Sequence, residues 1–176
     1  MILISNNLQK HMILGPEVNI RVNMAWVQTV DALDQVLNDN ANSVVFLDYP
    51  QGRKKYPTPV LTIDDAYAAC AKYPQIKYLA VSNIEEVENV LDIQSHLPKT
   101  VEFVPKIETL KGINEFKRLV SECGIKSAML DKEDLYLDVN RDNAAFFECI
   151  EHIRVICTEL GVSLLELEAV VFIAKD

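Results

Sequence analysis

The sequence is poor in the residues that make linkers, disulfide frameworks and sulfur- or imidazole-bound metal sites. Five glycines and seven prolines in 176 residues leave no long flexible linker. The four cysteines, Cys70, Cys123, Cys149 and Cys157, form no close Cys-x-x-Cys pair. Three lie among apolar residues at helical spacing and Cys123 ends a helix, so buried thiols explain them better than disulfides or zinc. His11, His96 and His152 show no ligand spacing, and the lone tryptophan and scattered tyrosines offer no stacking platform for bases. Apolar runs stop well short of a membrane span, and Met1–Leu3 carries neither a basic n-region nor a long h-region, so the expectation is a cytoplasmic protein with no membrane partner. Basic residues are also scarce, 17 against 26 acidic, for a formal charge of -9. Such a surface repels phosphate backbones and argues against nucleic acid. Arg53-Lys54-Lys55 is the local exception, and it reads as either a solvated loop or an anion site. Neither Gly-x-Gly-x-x-Gly nor Gly-x-x-x-x-Gly-Lys occurs, so nothing points to a dinucleotide or P-loop site.

What is present is a soluble-type composition, 49% hydrophobic and 24% charged, in a length that suits one domain over residues 1–176. Short apolar runs alternate with helical spacing. Met1–Ser5, Asn19–Met24, Val44–Leu47, Ile76–Val81, Val101–Ile107 and Ser127–Leu130 read as strands. Val30–Leu37 (cap Thr29), Asp64–Lys72 (cap Thr62 or Asp64), Glu85–His96 (cap Ser82 or Asn83), Asn114–Cys123 and residues 144–160 read as helices, with Gly124 and Gly161 ending the last two. Leu164–Ile173 fits a strand or a short helix. Tyr49–Pro59 is a loop. The β-α-β-α order with short connections predicts a parallel α/β architecture. Length alone leans toward an open sheet, because a complete eight-stranded barrel takes about 250 residues.

In either architecture the active site lies at the carboxyl ends of the strands. Polar residues where apolar runs stop are therefore the candidates: Arg21, Asn23, Asp48, Ser82, Lys106, Glu108, and the group Asp131, Glu133, Asp134. Lys106 and Glu108 are two apart on one strand and face the same side. A carboxylate there can bind a hard cation, and an ammonium beside it can neutralise an acid or enolate. A solvated strand-end ion pair fits the same pattern, and a solvated loop fits the acidic group equally well. Asp48 suits a general base or a turn cap. Arg21 suits a bidentate carboxylate anchor or an exposed strand position.

Three segments carry a resemblance: Tyr78-Leu79-Ala80-Val81-Ser82, Val104-Pro105-Lys106-Ile107-Glu108-Thr109, and Ala128-Met129-Leu130-Asp131-Lys132-Glu133-Asp134-Leu135. Together with Arg21-Val22-Asn23 and Phe46-Leu47-Asp48 they resemble the barrel of pyruvate kinase. They resemble more distantly the metal-dependent pyruvate aldolases and citrate lyase β-type enzymes of the same superfamily. The resemblance implies a TIM-barrel-like parallel β/α fold, incomplete at six or seven strands, without lid or C-terminal regulatory domain. It implies a Mg²⁺ or Mn²⁺ ion on Glu108 and Asp134, with Lys106, Arg21 and Asp48 as catalytic residues. Glu133 stands where the family has glycine, the loop after Asp48 is too short for a lid, and the Ala-Thr-Gln strand is not recognisable near Ser163–Ala169. Phosphoryl transfer is therefore not expected. What remains is a metal-dependent carbon–carbon lyase or aldolase working through an enolate on a pyruvate- or oxaloacetate-like acid. The alternative is a non-catalytic binding or structural relative acting as an oligomer or in a complex. An open sheet edge predicts a homo-oligomer.

Overall fold

The structure is a computed structural model, and it describes residues 2–5, 18–53 and 56–166. His11, Lys54, Lys55 and the stretch beyond Glu166 lie outside the described residues. The apolar runs form β1 (Ile2–Ser5), β2 (Val18–Asn23), β3 (Val45–Tyr49), β4 (Ile76–Val81), β5 (Glu102–Ile107), β6 (Ser127–Leu130) and β7 (Ser163–Glu166). Between them lie α1 (Val30–Asp39), α2 (Ile63–Lys72), α3 (Val87–His96), α4 (Leu110–Cys123), α5 (Lys132–Asp138) and α6 (Asn143–Leu160). Local chemistry sets the helix ends. Thr29 and Thr109 each accept a backbone N–H of the first turn, and Thr62 forms a reciprocal capping box with Asp65. Gly124 and Gly161 end α4 and α6 in the left-handed conformation, at φ 65° and 68°.

Every strand pair is parallel, and the order in the sheet is the order in the chain. Adding each strand on the same side, with crossovers of one hand, puts all helices on one face. A doubly wound sheet needs a reversal of order, and the described strands contain none. The sheet therefore curls into an incomplete barrel, not the open sheet that length alone favoured. No pairing joins β7 to β1 among the described residues. Nor is any helix among them long and apolar enough to cross a membrane.

The two faces of the sheet carry different cores. Leu47, Leu79, Val81, Ile107 and Leu130 point to the helices and join the main cluster with residues such as Leu33, Ile113, Phe116 and Ile153. Inside the curl, Phe46, Ala80, Val104 and Met129 form a separate fully buried layer, with Tyr78 stacked on Phe46 at 5.7 Å between ring centroids. The alternation of the strands continues past this layer. One step further toward the carboxyl ends, the same inward positions are Asp48, Ser82, Lys106 and Asp131.

Several elements differ from the sequence expectation. Asp48 lies within β3. Helix α3 begins at Val87 with Glu86 at the N-cap and no side-chain cap bond, and Ser82 and Asn83 lie upstream with other partners. Helix α4 begins at Leu110, four residues before the predicted Asn114, since Thr109 caps it. Gly112 is useful in that first turn: a Cβ there would stand 3.0 Å from the Ile84 carbonyl oxygen. Helix α5, capped by Asp131, was not expected, and it moves Asp134 from a strand end onto a helix.

Candidate active site

The ends of β2, β5 and β6, the loop after β3 and helix α5 deliver charge to a single cleft of about 460 Å³ at the carboxyl rim. Strand β5 supplies Lys106 and Glu108, both 4% exposed, and their charged atoms lie 3.0 Å apart. The Lys106 ammonium also donates to Ser82 Oγ at 3.1 Å and lies 3.4 Å from Asp48 Oδ1 and 3.8 Å from Asp131 Oδ2. Burial pushes its pKa down, but Asp48 and Glu108 outweigh this and raise it, so Lys106 stays a cation.

Asp48 is fully buried beneath this network and is not part of the cleft wall. Its Oδ2 accepts from Arg21 Nε at 2.9 Å and from a second nitrogen of the same guanidinium. Its Oδ1 accepts no well-aligned hydrogen bond among the described residues, and the Lys106 ammonium balances its charge from 3.4 Å. Burial raises the carboxyl pKa, yet Lys106 and Arg21 bring it below the ordinary range. Asp48 therefore fixes Arg21 and Lys106 in place. Asn23 lines the cleft, but its Oδ1 is occupied by the Ala25 N–H at 3.0 Å.

Glu108 is the opposite case. Its Oε1 faces Lys106, and its Oε2 accepts the Asn83 N–H at 3.1 Å. Burial drives its pKa up, Lys106 offsets this only in part, and Asp131 and Asp134 add to the rise. Ligand oxygens of Glu108, Asp131 and Asp134 all lie within 4.8 Å of one another. Oxygens around a Mg²⁺-sized ion sit about 3 to 4 Å apart, given metal–oxygen distances near 2.1 Å. The donor set is all hard oxygen. Three carboxylates thus gather beside the Lys106 ammonium, a set of ligands that a divalent cation can use. The residues fit such an ion.

Arg21, Lys106, Glu108 and Asp134 thus line one cleft, with Asp48 directly behind. Asp131 joins them as a third carboxylate. Its signal was strand phase: it follows inward-facing Met129 by two residues. Asn83 and Arg53 also line the cleft; the basic cluster at Arg53 was the signal for one, and Asn83 had been read only as a helix cap. Glu133 is exposed and is not part of the cleft wall, and Lys132 pairs with Glu166 at 2.5 Å, so neither plugs the opening.

No family model and no curated protein matches the sequence. Solved structures do match. RipC from Yersinia pestis is 10% identical, with 94% of this chain covering 73% of that one at a TM-score of 0.63. An HpcH/HpaI aldolase/citrate lyase family protein from Burkholderia cenocepacia is 11% identical, with 84% covering 70% at 0.64. Macrophomate synthase is 14% identical, with 84% covering 62% at 0.61. At these identities the likeness is one of fold. Over most of its length the chain has the fold seen in the HpcH/HpaI aldolase/citrate lyase family and in macrophomate synthase.

Proposed function

We propose that the protein is a divalent-metal-dependent carbon–carbon lyase acting on a pyruvate- or oxaloacetate-like 2-oxo acid. One observation carries this reading: the carboxylates of Glu108, Asp131 and Asp134 meet in an open cleft beside the Lys106 ammonium. Glu108, Asp131 and Asp134 would hold Mg²⁺ or Mn²⁺, which supplies Lewis acidity toward the carboxylate and keto oxygen of a 2-oxo acid. Lys106 places a fixed positive charge where negative charge grows on the keto oxygen as the carbon–carbon bond breaks. Asp48 clamps Arg21 through two nitrogens and so orients the guanidinium at the cleft edge. The Asn83 N–H holds the plane of the Glu108 carboxylate. The buried apolar layer below closes the floor against water.

The test is Mn²⁺ titration followed by electron paramagnetic resonance, with exchange of the pyruvate methyl protons in D₂O as the chemical readout. Saturable binding and Mn²⁺-dependent exchange are expected. No binding at millimolar Mn²⁺ would sink the reading.

A second reading has its own support. Lys106 already offers Glu108 and Asp48 a cation, so the network is partly satisfied without metal. In that case the chain is a non-catalytic relative whose sheet edges pair with a second copy. Light scattering that finds a monomer at micromolar concentration, together with Mn²⁺ binding, removes this alternative.

A further inference from the structure

A second cleft, of about 550 Å³, opens at the opposite rim, where the strands begin, and takes no part in the reaction proposed above. Lysines line it from three successive parts of the chain: Lys77 at the start of β4, Lys99 in the α3–β5 loop and Lys126 in the α4–β6 loop. All three are exposed. The loops that carry them are braced. The Val101 N–H donates to the Pro98 carbonyl at 2.9 Å, closing a turn that holds Lys99 at its tip. Gly124 turns the chain out of α4 at φ 65°, and the buried Ile125 anchors it just before Lys126. Gln94 Nε2 donates to the Cys123 carbonyl at 3.1 Å and so ties α3 to the end of α4.

Their pairing sets these lysines apart. Many surface cations of this acidic chain are held by carboxylates, as Lys72 is by Asp34, Lys111 by Glu86, Arg118 by Glu122 and Arg154 by Glu166. Among the described residues, no hydrogen bond or ion pair engages the ammonium of Lys77, Lys99 or Lys126. Against these three charges the cleft lining sets one carboxylate, Glu102. The carboxyl ends of α3 and α4 contribute about half a negative charge each. The cleft is still net positive, on a chain whose formal charge is -9. Its floor is apolar, with Val101, Phe103 and Ile125 all buried.

We propose that this amino-rim cleft binds a small molecule carrying a diphosphate group. Ammonium groups act on phosphate as point charges, and three of them on three elements suit oxygens spread over two tetrahedral phosphates. A planar carboxylate is matched better by a guanidinium fork, and no arginine lines this cleft among the described residues. A single phosphate engages fewer of the three cations than a diphosphate does. The negative charge of the rest of the surface repels nucleic acid and anionic membranes, whereas a small ion can enter the recess. The volume is in the range of small-molecule sites, about 300 to 1,000 Å³.

Inorganic pyrophosphate is the probe, titrated calorimetrically into metal-free protein at low ionic strength, so the outcome does not depend on the lyase reading. One saturable site is expected, about tenfold tighter than for inorganic phosphate and weakening as salt rises. Lys77→Gln, Lys99→Gln and Lys126→Gln should each weaken binding about three- to tenfold, and the triple variant should abolish it. Lys117→Gln removes another exposed lysine, on α4 outside the cleft, and should leave binding unchanged. Lysine acetylation of the wild type, read by mass spectrometry, locates the site without substitutions: pyrophosphate should protect Lys77, Lys99 and Lys126 and leave Lys117 reactive. No binding at millimolar pyrophosphate overturns the proposal, as does equal affinity for phosphate. Binding that survives the triple variant, an equal loss in Lys117→Gln, or protection spread evenly over all four lysines overturns it as well.

Discussion

The two ends of the barrel each carry a cleft, and they are alike in size: about 460 Å³ at the carboxyl rim and about 550 Å³ at the amino rim. Their chemistry is not alike. The amino-rim cleft is lined by Lys77, Lys99 and Lys126, all exposed, and by the half-buried Glu102. The carboxyl-rim cleft has Lys106 and Glu108 nearly out of solvent, with Asp48 wholly so. Exposed charges are solvated and cost little to keep. Buried charges survive only if neighbours balance them, as the Lys106 ammonium does for Asp48 and Glu108. Volume does not distinguish the two ends, and the balance of buried charge does.

That contrast can be broken most sharply at the lysines. Lys106→Met leaves Asp48 and Glu108 buried without their ammonium, and should cost about 3 to 5 kcal/mol in urea unfolding. Lys99→Met at the other end should cost about 0.5 kcal/mol or less. Equal effects would erase the distinction. Next come the acids. Glu108→Gln should weaken Mn²⁺ binding about 100-fold or more by titration, whereas Glu102→Gln should leave it unchanged. A smaller effect tests how tightly the carboxyl rim is built. Gly112→Ala brings a methyl group against the Ile84 carbonyl and should lower stability by about 1 to 2 kcal/mol, despite alanine's better helix propensity.

The smallest effect lies outside both clefts. Glu166 on β7 takes two hydrogen bonds from Arg154, at 2.9 and 2.8 Å, and also pairs with Lys132. The Arg154 bonds lead in lowering its carboxyl pKa to about 2, against the opposing effect of partial burial. A lowered folded-state pKa gives stability that is present above the unfolded value of about 4.3 and fades as pH falls toward 2. Wild type and Glu166→Gln should therefore differ most in thermal midpoint near neutral pH and converge by pH 2.

Much of the scaffold could be read from the sequence, and the reasons are local. Ile76–Val81 and Ser127–Leu130 are apolar runs bounded by polar breakers, and the strands have those same bounds. The two-residue spacing of Lys106 and Glu108 put both on one face, and their charged atoms are 3.0 Å apart. Helix α5 was missed because seven residues opening on Lys132, Glu133 and Asp134, with Leu135 as the one buried side chain, give periodicity too short a window. The role of Asn83 was invisible for another reason. Its position depends on a left-handed backbone and on partners 25 and 32 residues away, at Glu108 and Gln51. Composition also could not tell that Asp48 sits behind the cleft and not within it, since that depends on how far β3 runs beneath the rim.

The layer of Phe46, Ala80, Val104 and Met129 has a consequence for the cleft above it. With no exposed surface, these four side chains form a dry floor across β3 to β6, between the two clefts. A ligand held at the carboxyl rim would rest on this apolar floor and touch no water from below.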